Sequence, residues 1–201
     1  MTIGIICGLF NEYQMFISNI SNTEQIIIDG VNYSTGKLNS KEIVISYPEP
    51  DKIEEAVAAL KDNFSVKAII FTGTGNTFVA SLSQGNLMII SEAIDEDVFL
   101  AESTMIDGIF KIIEKLGEEF KLKTVVGKVL APGHYLPDTD HIICIDEAGV
   151  TQAKAAVKLQ IPFLMLRVLT KEQQYISFSE EEKRDIFTNI FWLIKGLVEM
   201  I

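Results

Sequence analysis

The stretch Ala68-Ile69-Ile70-Phe71-Thr72-Gly73-Thr74-Gly75-Asn76 runs from apolar residues into alternating glycines and small polar ones. It predicts a buried strand feeding a tight turn. Glycines there let the backbone take unusual dihedrals and approach a ligand closely. Hydroxyls and exposed amide N–H groups beside them can hold a sugar, an anion or a water. In α/β sheets, ligands gather at the carboxyl ends of strands, where this turn falls. Thr74, Gly75 and Asn76 are therefore candidate binding residues. The plainer reading is a strand-to-loop turn whose Gly and Asn serve the backbone alone.

Other residue types invite the same two-sided reading. Glu12 follows Gly8-Leu9-Phe10-Asn11 after an apolar start, and a glutamate there is ordinarily a solvent-exposed helix-start residue favoured by the helix dipole. Asp146 and Glu147 close another apolar run and precede a helix, so capping by Asp146 accounts for the pair without any ligand. His134 and His141 are the two histidines, and neither has a partner at metal-ligand spacing, so no zinc site and no cofactor is expected. His134, in a Pro-Gly loop, is a pocket-lining candidate. Arg167 and Lys171 read most simply as structural or surface charges. Cys7 and Cys144 lie inside apolar runs and read as buried free thiols.

The elements that must hold these residues follow from periodicity. Strand-like runs are Ile3–Cys7, Gln25–Ile28, Glu42–Ser46, Lys67–Phe71, Leu87–Ser91, Thr124–Leu130, Ile142–Ile145 and Phe163–Val168. One helix is expected from Pro50 through Leu60 with Asp51 as cap, and a second from Glu102 to Phe120 with Met105, Ile109, Ile112, Ile113 and Leu116 on one face. A third covers Gly149–Leu159. Ser179-Glu180-Glu181-Glu182 has the form of a capping box and starts a last helix with Ile186, Ile190, Leu193, Leu197 and Met200 as its apolar stripe. Helices alternating with strands, with no linker or repeat, imply an α/β fold with a mixed central sheet.

The 201 residues suffice for one domain with a sizeable core, and 48% hydrophobic against 22% charged residues is ordinary for a globular chain. A net charge of −11 without a basic stripe argues against nucleic-acid binding. No stretch is long enough for a membrane span, and the apolar start has no basic leader, so no membrane association and a cytoplasmic location are expected. The positive mean hydropathy points to a large core or to an apolar surface buried in an oligomer.

Taken in order, these motifs resemble the nucleoside phosphorylase and nucleosidase superfamily, and within it the 5′-methylthioadenosine/S-adenosylhomocysteine nucleosidases, over nearly the whole chain. Ile3-Gly4-Ile5-Ile6-Cys7-Gly8 followed by Glu12 is similar to the family's first strand and catalytic glutamate. Asn32-Tyr33-Ser34-Thr35-Gly36-Lys37-Leu38 resembles its early hairpin. Thr72-Gly73-Thr74-Gly75-Asn76, Gln84-Gly85-Asn86-Leu87 and Ser91-Glu92-Ala93 match its Thr-Gly-Ser-Ala-Gly-Gly, Val-Gly-Asp-Ile and Ser-Asp-Glu-Ala in order and spacing. Ile145-Asp146-Glu147-Ala148 is similar to Val-Glu-Met-Glu-Ala, and Ile161-Pro162-Phe163-Leu164-Met165-Leu166-Arg167 to its last-strand motif.

The resemblance implies a single-domain, three-layer α/β/α sandwich over residues 1–201 with a mixed central sheet, a homodimer with the helices at Pro50–Leu60 and Glu102–Phe120 on its face, and a purine nucleoside as ligand. It implies Glu12 as general base, Thr74, Gly75 and Asn76 around the water and ribose, and Tyr135 stacked on the base. Asp146 or Glu147 would accept hydrogen bonds from the ribose hydroxyls, although ungapped counting back from Pro162 puts Ala148 at that place. Departures are equally specific. Lys171 occupies the place of the family's purine-protonating aspartate. Tyr47-Pro48-Glu49-Pro50-Asp51-Lys52 replaces a phosphate-binding turn, which favours hydrolysis over phosphorolysis. The segment around Asp138-Thr139-Asp140 is shortened. Three outcomes follow: a nucleosidase, a relative that binds a nucleoside without cleaving it, or a subunit that only pairs with an active homologue.

Overall fold

The computed structural model describes residues 1–133, 143–171 and 178–201. Its described strands form one eleven-stranded mixed sheet in the order β2-β3-β4-β1-β5-β11-β6-β10-β9-β7-β8. Three central strands, β1 (Ile3–Ile6), β5 (Ala68–Phe71) and β11 (Phe163–Thr170), are buried at every position. They run parallel, with Ile3 opposite Ala68 and Phe163 opposite Ile69. A strand covered on both faces needs apolar residues throughout, which is why these segments show no alternation.

On one side, β2 (Ser21–Ile28), β3 (Val31–Leu38) and β4 (Lys41–Ser46) form a meander. Asp29-Gly30 joins the first pair, and both residues have positive φ, 50° and 80°. Asp-Gly is the usual two-residue connection because its twist matches that of the strands. The outer strand β2 is exposed over nearly its whole length, so it has little apolar signal, and only its Gln25–Ile28 end reads as a strand in the sequence.

On the other side the sheet curls shut. β11 pairs with β5 through Phe163–Met165 and with β6 (Thr74–Asn76) through Val168–Thr170, and on its opposite edge with β7 (Leu87–Ile94). Since β6 also pairs with β10 (Ile143–Ile145), β10 with β9 (Thr124–Leu130), and β9 with β7, strands β11, β6, β10, β9 and β7 close a ring. β8 (Val98–Leu100) extends β7 outside it.

Helices cover both faces. Helix α1 (Phe10–Ile17), α3 (Ser103–Leu116) and α5 (Glu180–Met200) share one core with Ile5, Ile70, Leu164 and Leu166. Helices α2 (Ile53–Asp62) and α4 (Glu147–Lys158) share the other with Ile69, Phe71 and Met165. This is the expected layered α/β arrangement. The Ser179 capping box is present, with Ser179 N–H donating to Glu182 at 2.7 Å and Glu182 N–H to Ser179 at 3.2 Å.

Several expectations are corrected. Pro50–Lys52 forms a short 3-10 turn ahead of α2, and Asp51 lies inside that turn and does not cap the helix. Helix α3 stops at Leu116, because Gly117 has φ +54°, which ends a right-handed helix. Met200 is exposed, while the rest of its expected stripe is buried. The predicted tight turn after Phe71 is a one-step break: the chain resumes as β6 alongside the far end of β11. Helix α1 has too few turns to register as a periodic pattern and was not expected from periodicity.

Candidate active site

The ends of two central strands place two connections together. Beyond β1 the chain passes Cys7 and Gly8 into α1, and beyond β5 it passes Thr72 and Gly73 into β6. A methyl group on Gly8 would stand 2.8 Å from the Thr72 carbonyl oxygen and 2.9 Å from the Gly73 Cα. The two backbones therefore touch where any larger residue would separate them. That contact brings Glu12 to Thr72.

Glu12 is 1% exposed. Its Oε2 accepts the Thr72 hydroxyl at 2.8 Å and the Leu9 N–H at 3.2 Å. Its Oε1 is buried and has no hydrogen-bond partner among the described residues. The residue is at a helix start, as the plain reading has it, but it is not at the surface. Burial raises its pKa to about 7, against the opposing effects of the Thr72 hydrogen bond, the Arg167 charge and the Leu9 and Gly8 amides. A carboxylate with one oxygen held, one free and a proton affinity near neutrality suits general base work. Beside it, burial and then the Glu12 charge push the Cys7 thiol up, so Cys7 stays protonated, as a buried thiol should.

The counter-charge is Arg167, which is 1% exposed. Its Nε donates to Asp146 Oδ2 at 2.7 Å, Nη2 to Gln152 Oε1 at 2.5 Å and Nη1 to the Leu166 carbonyl at 3.1 Å. Glycines make the room. A Cβ on Gly149 would meet Asp146 Oδ2 at 2.5 Å and Arg167 Nη2 at 2.9 Å, and one on Gly75 would meet Cys144 Sγ at 2.7 Å. Gly73, at φ +153°, lies with its open side 3.7 Å from the guanidinium. Arg167 is thus structural, but it is not a surface charge.

The other sequence candidates divide. Thr72 lies in the break between β5 and β6, and Thr74 and Asn76 are alternate residues of β6. Register places Thr74 beside Val168 and Asn76 beside Thr170, and Val168 belongs to the core that contains α1. The Asn76 Oδ1 is another buried acceptor without a partner among the described residues. Gly75 packs on Cys144 and Arg167. Asp146 sits at the N-cap position of α4 but makes no capping bond, because its carboxylate goes to Arg167. Glu147 begins α4 and is exposed, and Lys171 follows β11 and is exposed. Tyr135, His134, His141 and the Asp138–Asp140 segment lie outside the described residues. A groove of about 620 Å³ between α2 and α4, lined by Asp51, Glu54, Glu55 and Lys158 among others, includes none of the candidates.

Thr72, Arg167 and Gln152 were not picked out as site residues. Arg167 carries a usable signal: one charge inside the apolar run Phe163–Leu169 must be paired if that run is buried. Gln152 carries none, since a polar residue on a helix is ordinarily exposed.

Comparison with known proteins agrees with this architecture. The chain is 26% identical over 213 residues to the 5′-methylthioadenosine/S-adenosylhomocysteine nucleosidase of Listeria monocytogenes, covering 90% of this chain and 91% of the relative. It is 22% identical to the enzyme of that name from Shewanella denitrificans, covering 85% and 86%. Its fold is similar to the Colwellia psychrerythraea nucleosidase solved with adenine, at a TM-score of 0.83 and 20% identity over 99% of this chain and 95% of that one. The Streptococcus pneumoniae nucleosidase solved with 8-aminoadenine gives 0.80 and 18% over 100% of both. The family model of the phosphorylase superfamily matches residues 2–140, more than half of the sequence, and the chain belongs to that superfamily.

Proposed function

We propose that this protein hydrolyses the N-glycosidic bond of a purine nucleoside of the methylthioadenosine or S-adenosylhomocysteine kind. The observation that carries the reading is Glu12: buried, held by Thr72 through one oxygen, with the other oxygen free and a pKa of about 7. Oε1 takes a proton from water as the water oxygen bonds to the ribose anomeric carbon. The carbon–nitrogen bond breaks, and its electron pair goes to the purine, which takes a proton from solvent. Thr74 and Asn76 line the ligand side of β6. Tyr47–Lys52, where the resemblance puts a phosphate-binding turn, carries two prolines and two acids, which supports water over phosphate as the nucleophile.

A second reading, binding without cleavage, is favoured by one observation. Lys171 and Glu147, at the positions where the resemblance puts an acid and a ribose ligand, are both exposed. Lack of a general acid lowers the rate by about 10²–10⁴-fold. The proposal extends to a cytoplasmic homodimer with α2 and α3 on its face, supported by the half-exposed Phe110 on α3. No described helix is long and apolar enough to cross a membrane.

Release of adenine from methylthioadenosine and S-adenosylhomocysteine tests the reading, with Glu12→Gln as control. Release that Glu12→Gln abolishes supports a nucleosidase. Thermal stabilisation by the nucleoside without release means the binding reading is correct. Neither signal removes both and leaves a subunit that pairs with a homologue.

A further inference from the structure

Glu12 and Arg167 are opposite charges, each 1% exposed, and they feel one another electrostatically. In so dry a place a carboxylate and a guanidinium gain most by closing into a direct pair. They do not close. Among the described residues the ion pair of Arg167 is with Asp146, and Glu12 Oε1 accepts nothing. Each guanidinium nitrogen is tied elsewhere: Nε to Asp146, Nη2 to Gln152 and Nη1 to the Leu166 carbonyl. Asp146 and the Leu166 carbonyl anchor Nε and Nη1. Gln152, 3% exposed on α4, holds Nη2.

We infer that Gln152 is a positioning residue: with Asp146 it anchors the Arg167 guanidinium off Glu12, and so keeps the second Glu12 oxygen open for a ligand or water. Gln152 is suited to this because it is neutral. A carboxylate there would add a second negative charge near Arg167, and an aliphatic residue would release Nη2. The groups facing Glu12 are the Thr72 hydroxyl, the Leu9 and Gly8 amides, the Cys7 thiol and the Arg167 guanidinium. Arg167 is the one cation among them, so its placement governs how readily Glu12 gives up its proton. The anchoring stands apart from the nucleosidase reading, and the use of the open oxygen as a base rests on it.

The test is the titration of Glu12 in the ligand-free protein, followed by its carboxyl infrared band and assigned with Glu12→Gln. In Gln152→Leu and Gln152→Met the guanidinium is freed to close on Glu12. The midpoint should fall by one pH unit or more. The acid limb of kcat/KM for purine release should move down with it, and kcat should fall at least about tenfold as the base weakens, with little change in KM. Gln152→Glu keeps an acceptor for Nη2, and its midpoint should hold or rise. An unchanged midpoint in folded Gln152→Leu or Gln152→Met overturns the inference. Should both fail to fold, a falling midpoint in Gln152→Glu overturns it equally. A fallen midpoint in a protein whose wild type releases no purine leaves the anchoring intact and removes the nucleosidase reading.

Discussion

Asp146 and Arg167 join the end of β10 to the middle of β11 through a 2.7 Å ion pair, with the arginine 1% exposed. The pair explains two local features together. Asp146 leaves the N-terminus of α4 without a side-chain cap, and Gly149 in the first turn has no side chain to intrude on the contact. Removing Asp146 takes from the buried guanidinium its one ion-pair partner among the described residues. Asp146→Ala should therefore destabilise the protein by about 3–5 kcal/mol in urea or thermal unfolding. Glu147→Ala, one residue on and exposed, should cost less than about 0.5 kcal/mol. Comparable losses for the two would show that the pair contributes little.

Glu12 makes stability depend on pH with a definite sign. Its pKa rises from 4.5 to about 7 on folding, so between those values the folded chain holds more protons than the unfolded one. Stability from this group is complete below about pH 4.5 and is lost as pH rises through about 7. Glu12→Gln should thus be the more stable protein at pH 8, on the order of 3 kcal/mol, and the gain should vanish near pH 4. Unfolding curves of both proteins across that range provide the check.

The same group sets the acid limb of activity. A base must be ionised to work, so kcat/KM for purine release should rise with pH and level off above a midpoint near 7. A limb near 4.5 would place the working carboxylate in a wetter setting than that of Glu12.

Gly75 offers a packing test. A methyl there meets Cys144 Sγ at 2.7 Å and Arg167 Cβ at 3.5 Å. Gly75→Ala should destabilise by about 1–3 kcal/mol through overpacking. Cys144→Ala, which removes the sulfur, should recover part of that loss in the double variant, a coupling that thermal unfolding of the four proteins measures.

Much of this was legible in the sequence for a physical reason. Strands buried on both faces need unbroken apolar runs, and Ile3–Cys7, Lys67–Phe71 and Phe163–Val168 are such runs. From its place after the first strand Glu12 reads as an exposed helix-start residue, and it takes the family resemblance to mark it as a candidate base; its burial was not legible. What was hidden depends on contacts between distant segments. Thr72 matters because Gly8 and Gly73 let two backbones touch, 65 residues apart by the difference of those two positions. Asp146 looked like a cap because it stands before a helix, and only the position of Arg167 shows why its carboxylate turns away.

The ring of strands has a consequence for how the chain is made. β11 borders β5 and β6 on one edge and β7 on the other, yet it is the last of the described strands in chain order. Until Phe163–Thr170 emerges from the ribosome, β5 and β7 each present an open apolar edge with nothing to pair. The meander of β2, β3 and β4 needs only neighbours in sequence, whereas the ring waits for pairings between distant segments, such as Val168 with Thr74, 94 positions apart by subtraction. A nascent chain halted before Phe163 should therefore be held by chaperones or aggregate, and synthesis through Phe163–Ile201 should convert it to the native state in one late, cooperative step.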